Sequence, residues 1–150
     1  MTDVRDAEHR TTRALRSLLL AVLLFGVLGT LAELYLLEHY EDWWQLVPLL
    51  LLGVAAPVIA RCWAVPSAAT LRVLQGLMLL LVIVGALGVY QHYSGNAEFE
   101  LEMYPSRAGF ELFWESLKGA TPALAPGTMT MFGLLGLATT FRHPGLASKE

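Results

Sequence analysis

Cysteine is nearly missing from this chain: Cys62 stands alone. That excludes an internal disulfide and every paired-thiol metal or redox motif. Charge is scarce too, at 15% of residues, where a soluble domain carries roughly a quarter. The net charge of −3 and the lack of any basic stripe exclude nucleic acid as a partner. Phosphate loops, nucleotide fingerprints, nucleophile elbows, haem-attachment motifs and HxxxH or HExxH spacings are all missing. What fills the space is apolar: 55% of the residues are hydrophobic, the mean hydropathy is +0.53, and long uncharged runs follow one another. Such a composition belongs in a membrane.

The 150 residues read as a single integral membrane domain. Four apolar segments, at about residues 17–37, 43–60, 71–91 and 122–141, have the ~20-residue length that a bilayer core requires. Arg5, Arg10, Arg13 and Arg16 ahead of the first resemble a signal-peptide n-region. No small-x-small cleavage site follows before Glu33, so the expectation is a retained anchor span. Pro48 and Pro57 fall inside the second segment. At the fourth, Pro122 and Pro126 leave two starts open: a helix from Pro122 after a Thr121 cap, or a shorter one from Pro126. In the second case the residues before it are non-helical backbone, tolerated at membrane depth only under protein cover or beside a cavity.

Charge partition fixes an expected orientation. With both termini cytoplasmic, Arg5, Arg10, Arg13, Arg16, Arg61, Arg72, Arg142 and Lys149 lie inside, and only Arg107 and Lys118 lie outside. Glu38, Glu41, Asp42, Glu98, Glu100, Glu102, Glu111 and Glu115 make the outer face acidic. Trp43, Trp44 and Trp114 fit an outer aromatic belt and Trp63 an inner one.

The one long connection, residues 92–121, forms an outer cap in two parts. Between 97 and 104, Glu98, Glu100 and Glu102 alternate with Phe99, Leu101 and Met103. Period two predicts a short strand. After Pro105, the residues Phe110, Phe113, Trp114 and Leu117 recur at helical spacing, predicting an amphipathic interfacial helix with Gly119 as its C-cap. The expected fold is therefore an all-α membrane protein: a four-transmembrane-helix bundle with a short outer strand and an amphipathic interfacial helix.

Each span also carries small residues three apart: Gly26/Gly29, Gly53/Ala56, Gly85/Gly88 and Gly133/Gly136. These predict close helix packing in lipid. Glu33 continues the first stripe and His92 the third. Measured from Arg16 and Arg72, the two differ in height by about 4.5 Å, one helical turn. An intramembrane acid is costly and points to function, so Glu33 is a candidate for pairing with His92 or for a structural role at a helix end. The first and third spans end alike, in Glu38-His39-Tyr40 and Gln91-His92-Tyr93. Imidazoles and carboxylates in that setting suit a divalent metal, with Glu33, His39, His92 and Glu98 as candidate ligands. The same residue types equally serve as interfacial anchors. Glu100, Glu102, Phe110, Phe113 and Trp114 are the candidate interaction surface of the cap.

By composition the chain is similar to small four-span proteins of unknown role in bacterial inner membranes, a likeness that carries over no functional residue. With no catalytic constellation in view, the leading expectation is a non-enzymatic accessory or assembly subunit. Its acidic outer cap would meet a protein partner or a second copy of the chain. The alternative is a metal-, haem- or quinone-binding protein with its site at the outer membrane face, although nothing in the sequence requires a cofactor. A proton- or ion-coupled carrier centred on Glu33 is weaker, because inverted repeats are not evident.

Overall fold

A computed structural model describes residues 2–147. Lys149, counted above among the inner cations, lies outside the described residues, as do the side chains of residues 2–5. The described residues form five α-helices: α1 (Thr2–Leu36), α2 (Trp43–Ala64), α3 (Ala68–Met103), α4 (Gly109–Leu117) and α5 (Gly127–Thr140). A single 3-10 turn follows at Pro144–Leu146.

The parts of α1, α2 and α3 that fall at Asp6–Leu36, Trp43–Ala64 and Ala68–Met103 are long and apolar enough to cross a membrane. At 1.5 Å per residue, α3 is about 54 Å long, so its acidic end projects well beyond a ~30 Å hydrocarbon core. α5 has only 14 residues, about 21 Å, and by itself falls short of that core.

The predicted strand does not form: there is no strand among the described residues, and α3 runs unbroken to Met103. The reason is local. Alternating Glu with Leu, Phe and Met gives a period-two pattern, but Ala, Glu, Leu and Met are among the best helix formers. Extending an existing helix also needs no new nucleus. α3 stops where Pro105 disfavours helical backbone at Tyr104.

The chain divides into two compact units, one of residues up to 80 together with those from 132 on, the other Leu81–Met131. In the first, α1 and α2 pack directly. Leu23 and Val27 of α1, Leu52, Ala55, Ile59 and Cys62 of α2, and Leu71, Leu74 and Met78 of α3 are buried. Each set follows helical spacing, so each helix buries one stripe. The other faces stay apolar and uncovered: Phe25 is 81% exposed, and Leu18, Leu50, Val54 and Val73 are also exposed. That much apolar surface suits lipid rather than water.

Two glycines of this unit sit where no side chain fits. A Cβ at Gly26 would stand 2.6 Å from the Phe132 ring, and one at Gly136 would run into Met78 and Leu23. Gly29 and Gly53 face open space. The small-residue stripes are thus packing faces at some positions only.

Helix ends in this unit are closed by specific groups. Beyond α1, the His39 N–H donates to the Leu34 carbonyl (2.9 Å) across Glu38, whose φ of 54° is left-handed. Before α2, Gln45 Oε1 accepts the N–H groups of Glu41 (2.9 Å) and Asp42 (3.3 Å), half of a capping box. After α5, Arg16 Nη2 donates to the carbonyls of Phe141 (3.0 Å) and Arg142 (3.2 Å), a cation at the negative end of the helix dipole. The 3-10 turn is capped by His143 Nδ1, which accepts the Gly145 N–H at 3.0 Å. Burial, and then Arg16, hold the His143 imidazole below its ordinary pKa.

Two outcomes follow. Gly136→Leu should lower stability in detergent by the ~1–3 kcal/mol typical of overpacking, whereas Gly29→Leu should leave the thermal midpoint nearly unchanged. Because folding depresses the His143 pKa, its contribution is complete above the unfolded value of about 6.5 and fades as pH falls below it. Exchange at the Gly145 amide, corrected for intrinsic rate, should therefore rise between pH 7 and pH 5.

Candidate functional site

The second unit, Leu81–Met131, is organised by one face of α3. Gly85, Gly88, His92 and Asn96 lie at i, i+3, i+7 and i+11, a single helical stripe. The segment that follows α4 is laid along it. A Cβ on Gly85 would meet the Thr130 backbone nitrogen at 2.6 Å and the Pro126 carbonyl oxygen at 2.9 Å. On Gly88 it would meet the Pro126 ring at 2.7 Å. Thr130 Oγ1 donates to the Val82 carbonyl at 3.3 Å.

Higher on the stripe, His92 Nδ1 lies 3.1 Å from the Pro122 carbonyl. A carbonyl can only accept, so Nδ1 carries the proton in this contact. Asn96 uses its whole amide. Nδ2 donates to the carbonyls of Ser116 (2.9 Å) and Thr121 (2.7 Å), and Oδ1 accepts the Thr121 N–H (3.1 Å). Gly119 lies against the Asn96 side chain so closely that no Cβ fits. That is its role: Lys118, not Gly119, caps α4, with ordinary right-handed backbone.

Between Pro122 and Gly127 the chain makes successive three-residue turns, with Ala125 N–H to Pro122 O (3.2 Å), Gly127 to Leu124 (2.9 Å) and Met129 to Pro126 (3.0 Å). α5 therefore takes the later of the two starts. Its entry is a run of short turns that buries Ala123 and seats Pro126 against the glycines of α3, while Pro122, Leu124 and Ala125 stay exposed.

The C-terminal end of α3 is tied by Arg107. Its guanidinium pairs with Glu100 of α3 and with Glu111 of α4 (3.1 Å), and it lies 4.2 Å from the centre of the Tyr104 ring. Glu98 and Glu102, four apart on α3, share an exposed face, while Glu100 is drawn to Arg107. α4 buries Ser116, whose Oγ donates to the Leu112 carbonyl (2.6 Å), and turns its aromatic residues outward. Phe110 is 76% exposed, Phe113 and Trp114 are exposed beside it, and Phe110 stacks on Trp114 at 6.3 Å. Phe113 also meets Tyr93 at 5.9 Å.

The four candidate ligands fall as follows. Glu33 lies on α1 and is exposed in the chain, beyond the point where Gly26 packs. His39 is half-buried in the turn closing α1. His92 and Glu98 belong to the second unit, one bonded to Pro122 and the other exposed. Among the described residues, no three side chains of His, Cys, Asp or Glu gather as a metal site. Asn96 was missed by a search for ionisable groups, yet its place at i+4 from His92 on the Gly85/Gly88 stripe marked it.

Comparison with known protein families, with curated proteins and with solved structures finds no match.

Replacing Asn96 by Leu removes three hydrogen bonds at nearly constant volume. The expected loss is about 1–3 kcal/mol for each buried group left unpaired, with faster hydrogen exchange confined to residues 116–122. Asn96→Asp, which keeps the acceptor but turns a carboxylate oxygen towards both carbonyls, should destabilise at least as much.

Proposed function

We propose that the chain is a non-enzymatic accessory or assembly subunit of the cell (inner) membrane, engaging a protein partner through its outer cap. The reading is supported above all by α4, which keeps Ser116 inward and presents Phe110, Phe113 and Trp114 outward on a cap fixed by Asn96 and Arg107. Fixed aromatic side chains make strong anchors because little entropy is lost when they are covered. Exposed Glu98, Glu102 and Glu111 around them favour a partner surface that is apolar at its centre and basic at its rim.

In this reading α5 and the turns before it make a fourth crossing, which places residues 2–16 and those from 142 on together on the cytoplasmic side. The short turns at Pro122–Gly127, with Ala123 buried and Pro126 seated against Gly85 and Gly88, support that crossing by adding chain beside α3 ahead of α5.

Purification from native membranes in a mild detergent tests the proposal. The wild-type chain should carry a stoichiometric second protein, and Phe110→Ser with Trp114→Ser should lose it while keeping the same thermal midpoint. A chain that is monomeric and free of associated protein under these conditions contradicts the reading. Self-association that survives both substitutions contradicts it as well.

A further inference from the structure

Four of the inner arginines, which the sequence reads only as topology signals, line one cleft. In the first unit a half-open cleft of about 950 Å³ is lined by Arg10, Arg13 and Arg16 of α1, by Trp63 at the end of α2, and by Arg142 and His143 after α5. Its size is that of a small-molecule site. Among the described residues, Asp6 is the only carboxylate in the lining, and none of the four arginines is ion-paired. A positive flank needed for orientation alone works from any side of a helix. Here Arg13 and Arg16 instead continue the Leu20, Leu23 and Val27 stripe, the face that α1 turns towards the rest of its unit. Arg16 is held in place by the Phe141 and Arg142 carbonyls. Four guanidinium groups against one carboxylate give the cleft a surplus of positive charge.

We propose that this cleft binds a phosphate-bearing anion, through Arg10, Arg13 and Arg142 as the guanidinium donors and Arg16 as a positioned fourth cation. Guanidinium forks match phosphate oxygens in pairs. The apolar Leu20 and the Trp63 ring line the same cleft, surroundings that suit the glycerol and first carbons of a phospholipid as well as a free phosphate. Both sources share the chemistry, and the test separates them.

The full chain in a neutral maltoside detergent would be titrated with dihexanoyl phosphatidylglycerol, with dihexanoyl phosphatidylcholine and with inorganic phosphate, following the thermal midpoint. Phosphatidylglycerol should raise the midpoint with an affinity at least tenfold above that of phosphatidylcholine. Arg13→Gln with Arg142→Gln should weaken it by tenfold or more, without moving the midpoint of the unliganded protein. Arg72→Gln, an inner arginine outside the cleft, should leave the affinity unchanged, and Arg13→Lys with Arg142→Lys should restore part of it. Inorganic phosphate that stabilises alone and competes with the lipid identifies a free phosphate as the ligand; lipid that acts without such competition identifies the headgroup. The proposal is overturned if no phosphate probe stabilises the chain, or if Arg72→Gln weakens binding as much as the cleft variants do.

Discussion

In so apolar a chain, a backbone carbonyl that leaves its helix has little water to turn to, and Asn96 meets that constraint where it is most severe. Between α4 and α5 the chain must change direction while passing beside a membrane-length helix. The amide of Asn96 takes two of the carbonyls and one of the N–H groups released there. His92 takes a third carbonyl one turn lower. The glycines below them let the Pro126 ring and carbonyl approach the α3 backbone. Remove the amide and the surface presented by α4 loses its anchor, because Ser116 and Thr121 flank the end of that helix. The exposed aromatic face and the buried amide are two ends of one device.

The same physics works at the other end of the chain with charge in place of a neutral amide. Arg16 closes the carbonyl end of α5, a position where a cation is favoured by the helix dipole. Holding one guanidinium this way brings Arg142 and the α1 arginines into a common cleft. Arg16 thus belongs both to a structural cap and to the cluster proposed to bind an anion.

Most of the helical content was legible in the sequence because it depends on long apolar runs and on breakers. Trp43 opens α2 as expected, and the Phe110/Phe113/Trp114 spacing located α4. The strand expected at residues 97–104 failed because alternation in Glu, Leu and Met is ambiguous, and the helix already present decided it. Gly119 was read as a cap because glycine often ends helices; its role is steric, and only Asn96 packed against it reveals that. Glu33 was placed on a packing face by periodicity. The contact made by Gly26 is not continued at Gly29, because periodicity describes a helix but not how far its neighbour extends along it. Asn96 and the inner cleft went unread for a related reason. Each depends on which distant segments meet, and a sequence read alone carries that only weakly.

The stripe of α3 also has a consequence for biosynthesis. With its 14 residues, α5 has too little apolar length to partition into a bilayer on its own account, and Pro126 before it is seated against Gly85 and Gly88. In the four-span reading, α3 therefore has to be seated before the last segment can enter.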